Sequence, residues 1–136
     1  MIKRRKGIAI VETPKGIIVV AGKKKKFTLP GGGANQGESR KDATIRELEE
    51  ETTLKTKKIF YLFSYIGNAW INHRGKEIRN HVKVFLVDAY GKAKPSNEIK
   101  YLSYWNPKSK IDISNRTESV IKNYLKLKKR VKSLSN

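Results

Sequence analysis

Five of the nine glutamates in this 136-residue chain fall between Glu38 and Glu51, although the formal net charge of the whole is +19. Glu47 and Glu51 are four residues apart and Glu47 and Glu50 three, so on a helix these three carboxylates share one face. Like charges at those spacings repel. The one cation spaced to offset them is Arg46, four before Glu50. A bound divalent cation would remove the repulsion. Its ligands would all be oxygens, which selects a hard ion, Mg2+ or Mn2+. With no cysteine and two isolated histidines, a zinc site has nothing to build on. Just upstream lie Gly31, Gly32 and Gly33, a stretch whose bare backbone can approach a metal or a phosphate closely.

The surrounding pattern supplies the elements that must position these groups. Gly7–Glu12 and Ile17–Ala21 are apolar or alternating around Thr13-Pro14-Lys15-Gly16, which predicts a β-hairpin. Phe27-Thr28-Leu29 reads as a short strand that Pro30 and the three glycines end in a loop. From about Ser39 to Thr52 the period is helical, with Ile45, Leu48 and Thr52 on one face and Ala43, Glu47, Glu50 and Glu51 on roughly the opposite one. Lys58–Ile66, Val82–Ala89 and Glu98–Trp105 read as strands. A last helix is predicted from a capping box, Asn115 with Glu118, and buries Val120, Tyr124, Leu127 and Val131. Strands, loop, helix, strands, helix make an α/β or α+β domain with a mixed β-sheet between helices. No repeat, linker or composition break divides it, so residues 1–136 are expected to form a single domain.

Taken together, Gly32, Glu38, the run Arg46-Glu47-Leu48-Glu49-Glu50-Glu51 and the closing Thr52-Thr53-Leu54 resemble the Nudix box, Gly-x5-Glu-x7-Arg-Glu-U-x-Glu-Glu-x-Gly-U, where U is a bulky aliphatic. Thr53 stands where the pattern has its last glycine; every other fixed position is met. The chain is thereby identified as similar to the Nudix hydrolases, MutT-like enzymes with an α/β/α sandwich. They cut a pyrophosphate bond in nucleoside diphosphates linked to another group, using Mg2+ or Mn2+ and water. A glycine at position 53 would end the helix with positive φ, which a β-branched residue resists. Either the turn closes in another geometry or the backbone there is strained.

Carried onto this chain, the resemblance implies that Glu47, Glu50 and Glu51 bind the metal and that Gly32 lends it a backbone carbonyl. One of these three, Glu47 first among them, or a carboxylate outside the box would serve as general base, and Arg46 would orient Glu50. Glu38 would fix the loop to the helix or reach the metal through water, and Glu49 faces solvent. A glutamate from a later region completes the site in several family members, which makes Glu98 a further candidate ligand. Gly31 and Gly33 would let the substrate's phosphates approach. Phe27, Trp70, Tyr104 and Trp105 are aromatics that could stack on a base, with core packing as the alternative for each. The ADP-ribose marker, a proline about 15 positions beyond the box, is replaced here by Asn68-Ala69-Trp70-Ile71, and the dinucleoside-polyphosphate tyrosine is absent. What remains is a general nucleotide hydrolase, with two alternatives: an RNA 5′-end pyrophosphohydrolase, and a non-catalytic module that binds nucleotide or RNA.

The 31 Lys and Arg against 12 Asp and Glu cluster at Lys3–Lys6, at Lys23–Lys26 and from Lys122 to Lys132. Such a surface attracts polyanions, so an RNA contact through the lysines is expected on one reading and a merely solubilising surface on the other. No apolar run is long enough to span a bilayer, and Met1–Lys6 leads into a strand rather than a signal-peptide core. A cytoplasmic location with no membrane partner is the default, and the oligomeric state is left open.

Overall fold

Ile8 and Ile10 alternate with Ala9 and Val11 on a strand whose two faces are both buried, and this strand divides the interior. A computed structural model describes residues 1–134. In it β1 (Ile2–Ile10) lies parallel to β7 (Glu77–Tyr90) and antiparallel to β4 (Gly31–Gly33). The antiparallel strand β5 (Lys55–Ile66) flanks β7, and β6 (Trp70–Ile71) pairs with the start of β7. A second, antiparallel sheet holds β2 (Glu12–Thr13), β3 (Gly16–Ala21) and β8 (Tyr101–Trp105) in the order β2-β3-β8. With the helices α1 (Arg40–Thr52) and α2 (Asn115–Leu134), this is the mixed α+β architecture that the pattern predicts.

Period-two alternation sorts the core into two halves. Ile8, Ile10, Ile17 and Val19 pack with Val120, Ile121 and Tyr124 of α2. Ala9, Val11 and Ile18 pack with Leu48 of α1. The hydroxyl of Tyr124 donates to Glu12 at 2.7 Å and the Lys128 ammonium donates to the same carboxylate at 2.8 Å, which ties α2 to the hairpin.

The helix α1 meets β1 at Gly7. A Cβ there would lie 2.1 Å from Thr44 Oγ1 and 2.2 Å from the Arg40 carbonyl, so only glycine admits the helix this close. The close approach also decides which stripe of α1 is buried. Ala43, Thr44, Leu48 and Thr52 turn inward, which corrects the wheel that put Ala43 on the outer face: a small side chain belongs where the backbones are nearest.

Several boundaries differ from the expected ones: β1 and β7 each begin five residues early and β5 three. Gly31–Gly33 form a strand, not a loop, because β1 offers them a hydrogen-bonding edge. The strand expected from Glu98 starts at Tyr101, since Asn97 takes φ 58 and turns the chain first. On α2 the cap is Ser114, whose hydroxyl accepts from the Thr117 N–H at 3.2 Å, and not Asn115. Val131 is 59% exposed, because the helix runs on past the core after Tyr124.

Thr53 ends α1 in the conformation of the glycine it replaces, with φ 63 and ψ 1 and its N–H donating to the Glu49 carbonyl at 2.8 Å. Of the two outcomes for this turn, the backbone keeps its left-handed geometry. The Thr53 hydroxyl donates to the Lys92 carbonyl at 2.8 Å and offsets part of the cost. Left-handed backbone costs an L-residue roughly 1–2 kcal/mol, and a hydrogen bond returns about 1 kcal/mol. Thr53→Gly is therefore expected to be nearly neutral. Thr53→Ala, which keeps the strain and loses the bond, should be less stable by about 1 kcal/mol; paired thermal melts of the two variants check this.

Candidate active site

Antiparallel pairing of β4 with β1 sets Gly31–Gly33 beside the acidic face of α1. The Gly31 N–H donates to Glu51 Oε1 at 2.9 Å. Gly31 itself has φ 150, and a Cβ on it would lie 2.3 Å from the Gly7 carbonyl oxygen. At Gly32 a Cβ would fall 2.6 Å from Glu47 Cδ, so the missing side chain is what lets this carboxylate lie against the strand.

Arg46 is the hub of the cluster. Its Nε and one terminal nitrogen donate to the two oxygens of Glu38, each at 2.9 Å. The other terminal nitrogen reaches Glu47 Oε1 at 2.9 Å and Glu50 Oε2 at 3.3 Å. The Gly33 carbonyl accepts at 3.1 Å. Sequence spacing pointed Arg46 at Glu50 alone; the fold gives it Glu38 as the two-pronged partner, the arrangement a planar guanidinium favours. Glu38 also accepts from the Asn35 N–H at 2.9 Å and holds the loop before the helix. These two hydrogen bonds, Arg46 first, hold its carboxyl down at about 2, and Glu38 raises Arg46 above its already high value.

Glu51 is the opposite case. Burial, reinforced by the charges of Glu47 and Glu50, pushes it up to about 7 against the pull of the Gly31 N–H and of Lys6. Glu49 points away, 3.6 Å from Lys55.

Among the described residues no three acidic, histidine or cysteine side chains form a closed group that could hold a metal ion. The reason is visible in the bonds above: Arg46 draws Glu47 and Glu50 to itself and the Gly31 N–H holds Glu51. The donor chemistry nonetheless fits a hard divalent cation. All donors are oxygens, one carboxylate is partly buried and pushed toward its neutral form, and two further carboxylates repel it along one helix face.

Neither Phe27 nor Glu98 takes part in the hydrogen bonds described above. Phe27 is 7% exposed and packs in the core of the α2 side, so its ring is a structural one and is not available for stacking on a base. Glu98 is exposed in a turn, two residues after Ser96, whose N–H donates to the Glu51 carbonyl at 3.1 Å. Tyr104 and Trp105 are partly buried against the two cores, whereas Trp70 is 43% exposed on β6.

One residue that motif spacing misses is Lys6. Read as part of a surface run, it is half-buried and coupled electrostatically to Glu51 and Glu47. Burial, followed by the charge of Arg4, lowers its pKa, and the two carboxylates partly restore it. Strand alternation holds the signal, since Lys6 shares the parity of Ile8 and Ile10. With Ile8, Thr28, Leu29, Tyr65 and Arg116 it lines a cavity of about 150 Å3, in which the Arg116 guanidinium stands 4.9 Å from the centre of the Tyr65 ring.

A mixed sheet between helices thus sets a glutamate-rich helix face, all oxygen donors, against a glycine strand. A family model for the NUDIX domain matches residues 2–124. A crystallised nudix-family protein from Chromobacterium violaceum is 35% identical, with a TM-score of 0.76 over 91% of this chain and 77% of that one. An ADP-ribose pyrophosphatase from Methanocaldococcus jannaschii is 28% identical over 128 residues, covering 88% of this chain and 71% of the relative. The E. coli ORF135 protein shares the fold at 20% identity, with a TM-score of 0.71 over 94% of this chain and 92% of that one. The chain belongs to the Nudix family, whose members hydrolyse pyrophosphate bonds in nucleotide derivatives and generally use a divalent metal. No helix among the described residues is long and apolar enough to cross a membrane.

Proposed function

We propose that this protein is a Mg2+-dependent pyrophosphohydrolase of nucleoside triphosphates or other nucleoside-diphosphate derivatives, with Mn2+ able to substitute. The observation that carries the reading is Glu51, held by the Gly31 N–H, raised to about 7, and sharing its face with Glu47 and Glu50. Glu47, Glu50 and Glu51, with the Gly32 carbonyl, would hold the cation; Glu98 is left out of the set. When bound, the cation supplies charge neutralisation of the phosphoryl oxygens and acidifies an adjacent water.

The chain's own groups do the rest. Arg46 fixes the directions of Glu47 and Glu50, and through Glu38 it fixes the loop that precedes the helix. Glu47, pressed against Gly32, is placed to take the proton of the attacking water. The Lys6 ammonium favours the ionised form of Glu51 and would attract a substrate phosphate. The 150 Å3 cavity beyond Lys6 is smaller than the roughly 300–1,000 Å3 of sites that enclose drug-sized ligands, so it suits one base or sugar ring and leaves the rest of the substrate outside. Cytoplasmic action on a small nucleotide is the setting we infer.

The test is a panel of nucleoside triphosphates, oxidised nucleotides, nucleotide sugars, dinucleoside polyphosphates and 5′-triphosphorylated RNA, with ADP-ribose added because of the archaeal relative. Each is incubated with Mg2+ and with chelator, and products are identified. Metal-dependent cleavage of one class supports the reading; retained nucleotide binding with no cleavage of any substrate would replace it with a nucleotide sensor. Within the active enzyme, Lys6→Met is expected to move the acidic limb of the kcat/KM–pH profile upward, because Glu51 then ionises at higher pH.

A further inference from the structure

A groove of about 810 Å3 runs between β5 and α2 on the side of α2 away from the hairpin, and the function above makes no use of it. Leu62, Phe63 and Leu127 form its apolar floor, and Lys126, Lys129 and Arg130 form its rim; no carboxylate lines it. Elsewhere on α2, Lys122 pairs with Glu118 at 3.0 Å and Lys128 with Glu12 at 2.8 Å. The three rim cations have no acidic partner among the described ion pairs, and all three line the one groove.

The groove and the cavity beside Lys6 are lined by neighbouring residues of β5 and α2 and share none. On β5, Ser64 lines the groove and the next residue, Tyr65, lines the cavity; on α2, Asn123 and Val120 do the same one turn apart. From Arg116 at the cavity to Arg130 the helix advances about 21 Å. That length suits about six nucleotides at the stacked spacing of about 3.4 Å, well beyond what a mononucleotide can occupy.

We propose that the seam between β5 and α2 is a track for single-stranded nucleic acid that leads toward the pyrophosphate site. Cations on the rim meet the phosphates, and the recessed apolar floor, with the Tyr65–Arg116 pair at the cavity end, receives bases. A lipid surface is a poorer match because a planar bilayer cannot reach a recessed floor. Binding stands on the groove alone; that the strand's 5′ end is a substrate rests on the function proposed above.

The test uses fluorescence anisotropy with labelled oligo(U) and oligo(dT) twelve-mers and the full-length protein. Charge reversal at the rim (Lys126→Glu, Lys129→Glu, Arg130→Glu) is expected to weaken binding at least about tenfold and to cut the log Kd–log salt slope by about 2, three lost phosphate contacts at roughly 0.7 each. A control with the same charge change on remote exposed sites (Lys23→Glu, Lys24→Glu, Lys108→Glu) should retain most of the affinity. Both variants should hydrolyse mononucleotides like the wild type. The proposal is overturned if the wild type binds neither oligonucleotide or if the two triple variants lose affinity equally. It is also overturned if the rim variant loses only its binding to phosphatidylserine–phosphatidylcholine vesicles. Wild-type protein that binds oligonucleotide and cleaves no nucleotide would remove the catalytic reading and leave the track standing.

Discussion

Glu51→Gln is expected to lower kcat by roughly 10²–10³-fold, the size of effect that follows removal of one preorganised electrostatic element, while raising the melting temperature of the metal-free protein above pH 7. The two effects share a cause. The amide oxygen of Gln can still accept from the Gly31 N–H, which Glu51 now binds at 2.9 Å, so the local structure survives. The partly buried charge and its repulsion by Glu47 and Glu50 do not. Because the folded-state value is raised from 4.5 to about 7, the stability linked to this group is fully present below about 4.5 and lost as pH rises through about 7. Thermal melts at pH 5 and pH 8 should therefore show the wild type losing stability that the variant keeps.

The same shift governs metal affinity. A carboxylate must be ionised to bind a cation, and at pH 6 only about a tenth of Glu51 is ionised when its pKa is about 7. Calorimetric titration with Mg2+ should show affinity about tenfold weaker at pH 6 than at pH 8, with a proton released on binding. In Glu51→Gln this dependence should flatten. A wild-type affinity that does not change between those pH values would remove Glu51 from the ligand set.

Arg46→Ala is the second large effect. It removes contacts to Glu38, Glu47, Glu50 and the Gly33 carbonyl together, so both the loop before the helix and the aim of two candidate ligands are lost. A kcat lower by about 10–100-fold is expected, as for other groups that orient metal ligands, together with a melting temperature lower by several degrees. Arg46→Lys should recover little, since an ammonium cannot make the two parallel bonds to Glu38. Acid sensitivity gives an independent check. Glu38 is depressed from 4.5 to about 2, so its contribution is present above about 4.5 and disappears as pH falls toward 2. In Arg46→Ala that loss should begin at higher pH, visible as an earlier acid transition followed by circular dichroism.

The order and type of the elements were legible in the chain because they depend on local periodicity. β3 and both helices lie close to where apolar spacing of two or 3.6 residues put them, and β1, β5 and β7 overlap their expected ranges but begin earlier. The acidic face of α1 was legible for the same reason: Glu47, Glu50 and Glu51 are neighbours on any helix, whatever it packs against. The exchange of the box glycine for Thr53 was visible as a conflict, but its outcome depended on the Lys92 carbonyl, 39 residues away, which accepts the threonine hydroxyl.

What the tertiary structure alone decided are the groups that reach the acidic face from elsewhere in the chain. Lys6 looked like surface charge until β1 paired with both β4 and β7 and left it half-buried within electrostatic reach of Glu51 and Glu47. The Gly31 N–H became a partner of Glu51 only when the glycines formed a strand instead of a loop. Phe27 packs in the core and Glu98 sits in an exposed turn for a related reason, since side-chain type says what a residue can do and only packing says where it points. Ala43 and Gly7 show the limit most plainly. Helical periodicity ranks residues by polarity, whereas the buried stripe of α1 was chosen by how near two backbones could come.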